Sequence, residues 1–75
     1  MDYRDRFSLR LTTLRKSAGI SMSELGTVLG VSDEAVRLME RSKRSPSFEV
    51  LLSLADYFNV SLDYLVGRSD DPERH

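Results

Sequence analysis

The sequence predicts an all-α domain built from five short helices. Three observations carry that expectation. Apolar residues recur at helical spacing in five separate stretches, and nowhere do apolar and polar residues alternate as in a half-buried strand. Serines 21, 32, 47 and 61 stand just before four of these stretches, where a hydroxyl accepts a first-turn amide hydrogen. Gly19, Gly30, Asn59 and Gly67 follow four of them, where a left-handed closing residue is cheap.

The first helix is expected from about residue 5 to residue 18, with Phe7, Leu11, Leu14 and Ala18 along one face and Gly19 as the stop. Ser21 and Glu24 then form a capping box: the hydroxyl accepts the third amide, and the carboxylate reaches back to the cap amide. Leu25, Val28 and Leu29 give the second helix its apolar face, and Gly30 ends it. Ser32 caps a third helix, residues 32–41, with Val36 and Met39 inward. Asp33 and Glu34 lie in its first turn, where the macrodipole favours negative charge. Residues 42–46 form a polar loop, since Pro46 discourages helix at Ser45. Phe48, Leu51, Leu52, Ala55 and Phe58 mark the fourth helix after the Ser47 cap, and Leu62, Leu65 and Val66 the fifth after Ser61. Residues 5–67 are thus read as one domain, and residues 68–75 as a disordered tail without periodicity.

Composition narrows the function. Seventy-five residues without cysteine leave helix packing as the source of stability, with neither disulfide nor thiolate metal site. No apolar run reaches the ~20 residues of a membrane span and no signal pattern opens the chain, so a soluble, cytoplasmic protein is expected. The sole histidine, His75, is terminal, and no nucleophile–base pair, metal-ligand cluster or phosphate-binding loop can be assembled. The expectation is a chain that is not an enzyme and takes no cofactor, and no effector pocket is visible in so short a chain.

The formal charge is −1, from 11 basic and 12 acidic residues. Without residues 68–75 the two counts are nine and nine, and Arg37, Arg41, Lys43 and Arg44 fall within eight residues of one another. The domain is therefore neutral with a locally basic edge.

Residues 21–40 meet the requirements of a helix-turn-helix. Gly26 leaves room where the two helices cross, Gly30 supplies positive φ in the turn, and Leu25, Val31, Val36 and Met39 anchor both helices inward. The chain here resembles the phage-repressor family of helix-turn-helix regulators, Cro-like or of xenobiotic-response-element type. The resemblance spans about residues 10–67. It rests on Leu11, Leu14 and Arg15, Ile20–Ser21, Glu24–Leu25, Leu29–Ser32, Glu40–Arg41, Lys43–Arg44, Pro46–Ser47 and Val60–Leu65.

The resemblance implies a lambda-repressor-like, five-helix DNA-binding domain, often dimeric, that represses or activates transcription. It implies that the third helix enters the major groove, with base-edge positions Ser32, Asp33, Glu34, Arg37 and Leu38. Arg37 suits guanine O6 and N7; Asp33 or Glu34 suits cytosine N4; Leu38 suits a thymine methyl. Phosphate positions are the amides near Ser21 and Met22, with Arg41, Lys43 and Arg44. Arg15 and Glu40 are implied to form an internal ion pair.

Two departures stand out: Met22 replaces a frequent glutamine, and Ser42 replaces a common glycine. Other readings stay open. Asp33 and Glu34 serve equally as helix-start residues worth about 0.3–1 kcal/mol each. Arg10 is a phosphate contact or a solvated cation. Tyr57, Tyr64 and Val66 serve a dimer contact or the packing of helix five on helix four. The partners expected are therefore double-stranded DNA and a second copy of the chain. The alternative is a protein-binding module whose acidic helix start meets a basic protein.

Overall fold

The computed structural model describes residues 2–74, so His75 lies outside the described residues. It consists of α1 (Tyr3–Ala18), α2 (Met22–Leu29), α3 (Asp33–Glu40), α4 (Phe48–Phe58) and α5 (Leu62–Leu65). No strand occurs among the described residues, and no helix is long and apolar enough to cross a membrane.

Local chemistry sets the boundaries. Each helix opens on an oxygen side chain that accepts a first-turn amide: Asp2, Ser21, Ser32, Ser47 and Ser61. The first of these moves the start of α1 two residues earlier than expected, because Asp2 Oδ1 accepts the Asp5 amide at 3.0 Å. Gly19 and Gly30 close α1 and α2 in the left-handed region at φ of 70° and 72°, and Asn59 closes α4 at 55°.

The core is a single cluster. Phe7 and Leu11 of α1, Leu25 of α2, Val36 and Met39 of α3, Val50, Leu54 and Ala55 of α4, Val60 and Leu65 are all buried. Leu14, Leu29, Val31, Leu51, Phe58 and Tyr64 pack around it, partly exposed.

Several expected core positions lie outside. Ala18 is exposed because α1 outruns the core. Val28 and Leu62 stay 45 and 42 % exposed on the outer sides of short helices. On α4 the phase is rotated. Phe48 and Leu52 are 70 and 40 % exposed, while Val50 and Leu54 face inward with Ala55. The polar residues Glu49, Ser53 and Asp56, at i, i+4 and i+7, mark the outward side of α4, which sets Val50 and Leu54 inward.

The segment expected to be a disordered tail runs back over α5 instead. Arg68 and Ser69 amides donate to Asp63 O, and the Ser61 amide donates to Pro72 O at 3.0 Å. Arg74 pairs with Asp56 at 2.8 Å. Polar groups of this segment thus find partners on Ser61, Asp63 and Asp56, contacts that carry no apolar periodicity.

Candidate nucleic-acid interface

The crossing of α2 and α3 is governed by Gly26. A Cβ there would stand 2.7 Å from Val31 O and 3.2 Å from both C and O of Ser32, all backbone atoms of the turn. Only a glycine lets the turn lie this close. The Val31 amide closes the turn on Gly26 O at 2.9 Å.

α3 is thereby held with Ala35, Val36 and Met39 buried, and with Ser32, Asp33 and Glu34 exposed; Arg37 and Leu38 are half-buried. The exposed tip is internally bonded. Ser32 Oγ accepts the Ala35 amide and Asp33 Oδ1 the Glu34 amide, at 3.1 and 3.0 Å. Glu34 receives a two-pronged bond from Arg37, Nε to Oε1 at 2.6 Å and Nη2 to Oε2 at 2.7 Å. The Arg37 bond holds the Glu34 carboxyl below the usual range, and Glu34 in turn raises the Arg37 guanidinium. Both side chains are largely solvated, so the pair adds little stability. It compensates the charge of Arg37 and leaves Asp33 as the net negative charge of this face.

Beyond α3 the charge changes. Arg41, Lys43 and Arg44 are exposed, and none has a side-chain hydrogen bond or ion pair among the described residues. Their loop is nevertheless rigidly seated. Ser42 takes positive φ (61°), where glycine would be cheaper. Its hydroxyl lies 2.7 Å from Ser8 Oγ, a buried group that also meets Met39 O at 2.7 Å and Arg4 O at 2.9 Å. A serine carries one hydrogen, and Ser8 directs it at these carbonyls, so Ser42 is the donor to Ser8. Arg4 Nε adds a bond to Ser45 Oγ at 3.1 Å. Ser8 escapes sequence reasoning because a lone serine inside a helix looks like a solvated residue.

At the start of α2 the capping box is complete. Ser21 Oγ accepts the Glu24 amide at 3.0 Å and Glu24 Oε1 accepts the Ser21 amide at 2.9 Å. That bond from the Ser21 backbone lowers the Glu24 carboxyl below its ordinary value. With the Ser21 amide so engaged, the outward first-turn donors become the amides of Met22 and Ser23. The Met22 side chain instead packs against the core.

Arg15 and Glu40 join α1 to α3 from inside. Nε meets Oε2 at 2.6 Å, Nη2 meets Oε1 at 3.1 Å, and Nη1 donates to Ile20 O at 2.9 Å. The hydrogen bonds to Glu40 raise the Arg15 guanidinium. Arg10 takes a different place, over the ring of Tyr64. Tyr57 is 44 % exposed with its ring edge-on to Phe58.

Two capped helices crossing at a glycine, the second turned outward and followed by a cationic loop, define a helix-turn-helix domain. The chain belongs to the HTH_3 helix-turn-helix family, whose model matches residues 11–65. It is 33 % identical over 64 residues to the HTH-type transcriptional regulator YobD of Bacillus subtilis, covering 85 % of this chain and 57 % of that protein. It is 39 % identical over 57 residues to repressor protein C2 of Salmonella phage P22, covering 76 % of this chain and 26 % of the repressor. Among solved structures, the P22 c2 repressor in complex with a synthetic operator superposes with a TM-score of 0.74 at 37 % identity, over 79 % of this chain and 89 % of that one. The chain spans about half the length of the Bacillus subtilis relatives it matches (57, 48 and 51 % of three of them). These relatives are transcriptional regulators and a repressor, not enzymes.

Proposed function

We propose that the domain binds double-stranded DNA as a homodimer on a two-fold operator and regulates transcription, most simply as a repressor by occupancy. The observation that carries this reading is the union of an outward α3 with three exposed cations at and just after its end, none hydrogen-bonded through its side chain among the described residues. The likeness to a repressor solved on a synthetic operator supports it.

In this reading α3 lies in the major groove with Ser32, Asp33, Glu34, Arg37 and Leu38 toward base edges. Arg37 reads guanine after exchanging Glu34 for O6 and N7, so base readout competes with an existing bond. Phosphates are held by Arg41, Lys43 and Arg44 and by the first-turn amides of α2. Affinity then rests on the loop, because the tip carries Asp33 and Glu34 against the single charge of Arg37.

If Arg41, Lys43, Arg44 and one further cation of each half-site neutralise a phosphate apiece, a dimer makes about eight phosphate contacts, and log K should fall against log salt with a slope of about −7. Lys43→Ala should weaken all sequences alike and flatten the slope, whereas Arg37→Ala should relax preference at one position per half-site. Mobility shifts on genomic fragments across a salt series measure all three. A slope shallower than about −2 would contradict the role of the loop. Retention of no fragment, with a protein co-purifying instead, would favour the protein-binding reading of the acidic tip.

A further inference from the structure

Two arginines of α1 are largely withdrawn from water, yet only one is well partnered. The Arg15 side chain keeps 12 % exposure and makes three bonds of 2.6–3.1 Å. The Arg10 side chain keeps 20 %, but its one ionic contact is 3.5 Å long, to the fully exposed carboxylate of Asp70. A guanidinium has five donors and cannot lose its charge, so a withdrawn one with a single marginal anion is under-satisfied. Its lower face is covered by Tyr64, with the ring centroid 3.8 Å away. Its donors remain available.

Arg10 borders an open cavity of about 590 Å³, lined also by Leu9, Tyr64, Arg6 and Arg68. That volume falls within the ~300–1,000 Å³ of small-molecule sites. Arg6 reaches in from one turn earlier on α1 and is steadied by Gly67 O at 3.3 Å. Arg68 is exposed, with no side-chain partner among the described residues. Asp70 is the single carboxylate on the wall, which leaves two positive charges uncompensated. The cavity lies between α1 and the chain after α5. On α1 it occupies the flank roughly opposite Ser8 and Arg15, which hold α3, so it is separate from the DNA-facing side.

We propose that this cavity binds a small phosphate-bearing anion. Arg10 is the anchor, Arg6 and Arg68 are flanking charges, Tyr64 is the aromatic floor, and Asp70 is the internal anion that the ligand displaces. The charge left over by the wall matches a dianion, and paired guanidinium groups suit phosphate oxygens. The assignment goes beyond the DNA reading and gives a ligand cavity to a chain whose sequence shows no effector pocket.

The test is calorimetric titration of the full chain with inorganic phosphate and then pyrophosphate at low salt. Saturable one-to-one binding is expected. Arg68→Ala should weaken it roughly tenfold, the worth of one charge-assisted hydrogen bond. Asp70→Asn should tighten it several-fold by removing the competing carboxylate. Arg10→Gln should abolish it, and the two exposed variants decide the matter if Arg10→Gln does not fold. Absence of saturable binding would overturn the proposal. So would binding insensitive to Arg68→Ala but weakened by Lys43→Ala, which would place the anion on the loop after α3.

Discussion

Replacing Glu40 with alanine should destabilise the domain by about 3–5 kcal/mol, the cost of leaving one partner of a buried ion pair alone. The geometry places this pair at the upper end of such effects. The Arg15 and Glu40 side chains are only 12 and 5 % exposed, and the carboxylate is engaged on both oxygens. Arginine cannot escape by losing its proton, so the orphaned charge must be hydrated by opening the structure. Opening is costly here because Arg15 also holds Ile20 O, the connection from α1 into α2. The effect therefore reaches the helix-turn-helix itself. Urea unfolding of the variant beside the parent chain measures the loss. Replacing both partners with apolar residues of similar size should cost less than Glu40→Ala alone, because no charge is stranded. A Glu40→Ala loss below about 1 kcal/mol would show that water already reaches Arg15 and that the pair behaves as a surface bridge.

Gly26→Ala should be the next most damaging change, and it should act on function more than on stability. The added methyl meets Val31 O at 2.7 Å, and that oxygen belongs to the turn backbone and cannot rotate away. Overpacking of this kind costs about 1–3 kcal/mol, offset by up to about 1 kcal/mol of alanine's helix preference. The remainder unfolds little of the protein but pushes α3 off its seat on α2. DNA affinity should fall well beyond the fraction unfolded, measured by thermal melting and mobility shift on the same sample. Gly30→Ala is the matching control. Its Cβ would enter open space, so its cost comes from the positive φ of 72° and leaves the helix crossing alone. Equal losses of DNA affinity in the two variants at matched stability would contradict the role given to the crossing.

What the sequence revealed follows the range of the interactions. Caps and stops are local, so Ser21, Ser32, Ser47 and Ser61 and the turns at Gly19, Gly30 and Asn59 were legible without any tertiary information. The phase of α4 is carried by its polar stripe, Glu49, Ser53 and Asp56, rather than by its apolar residues, which occupy the rest of the circumference. The role of Ser8 is not legible, because two of its partners, Met39 O and Ser42 Oγ, lie 31 and 34 residues away. The cost of Ser42 in place of glycine is legible in the sequence, but its compensation by Ser8 is not. The suitability of Arg37 for guanine is legible in the sequence, and so is the spacing from Glu34, three residues earlier, that forms a helical ion pair. The environment of Arg10 was left open, since Asp70 lies 60 residues away in a segment without periodicity. Long-range polar contacts are the information a single sequence hides most completely.

Selection of bound duplexes from a random DNA pool tests the central claim most directly, because it reads binding, symmetry and base preference together. The enriched sequences should hold two inverted half-sites centred about one helical turn, ~34 Å, apart. One guanine in each half-site should lose its enrichment with Arg37→Ala. Failure of the folded protein to enrich any sequence over the starting pool would contradict the claim that α3 reads DNA.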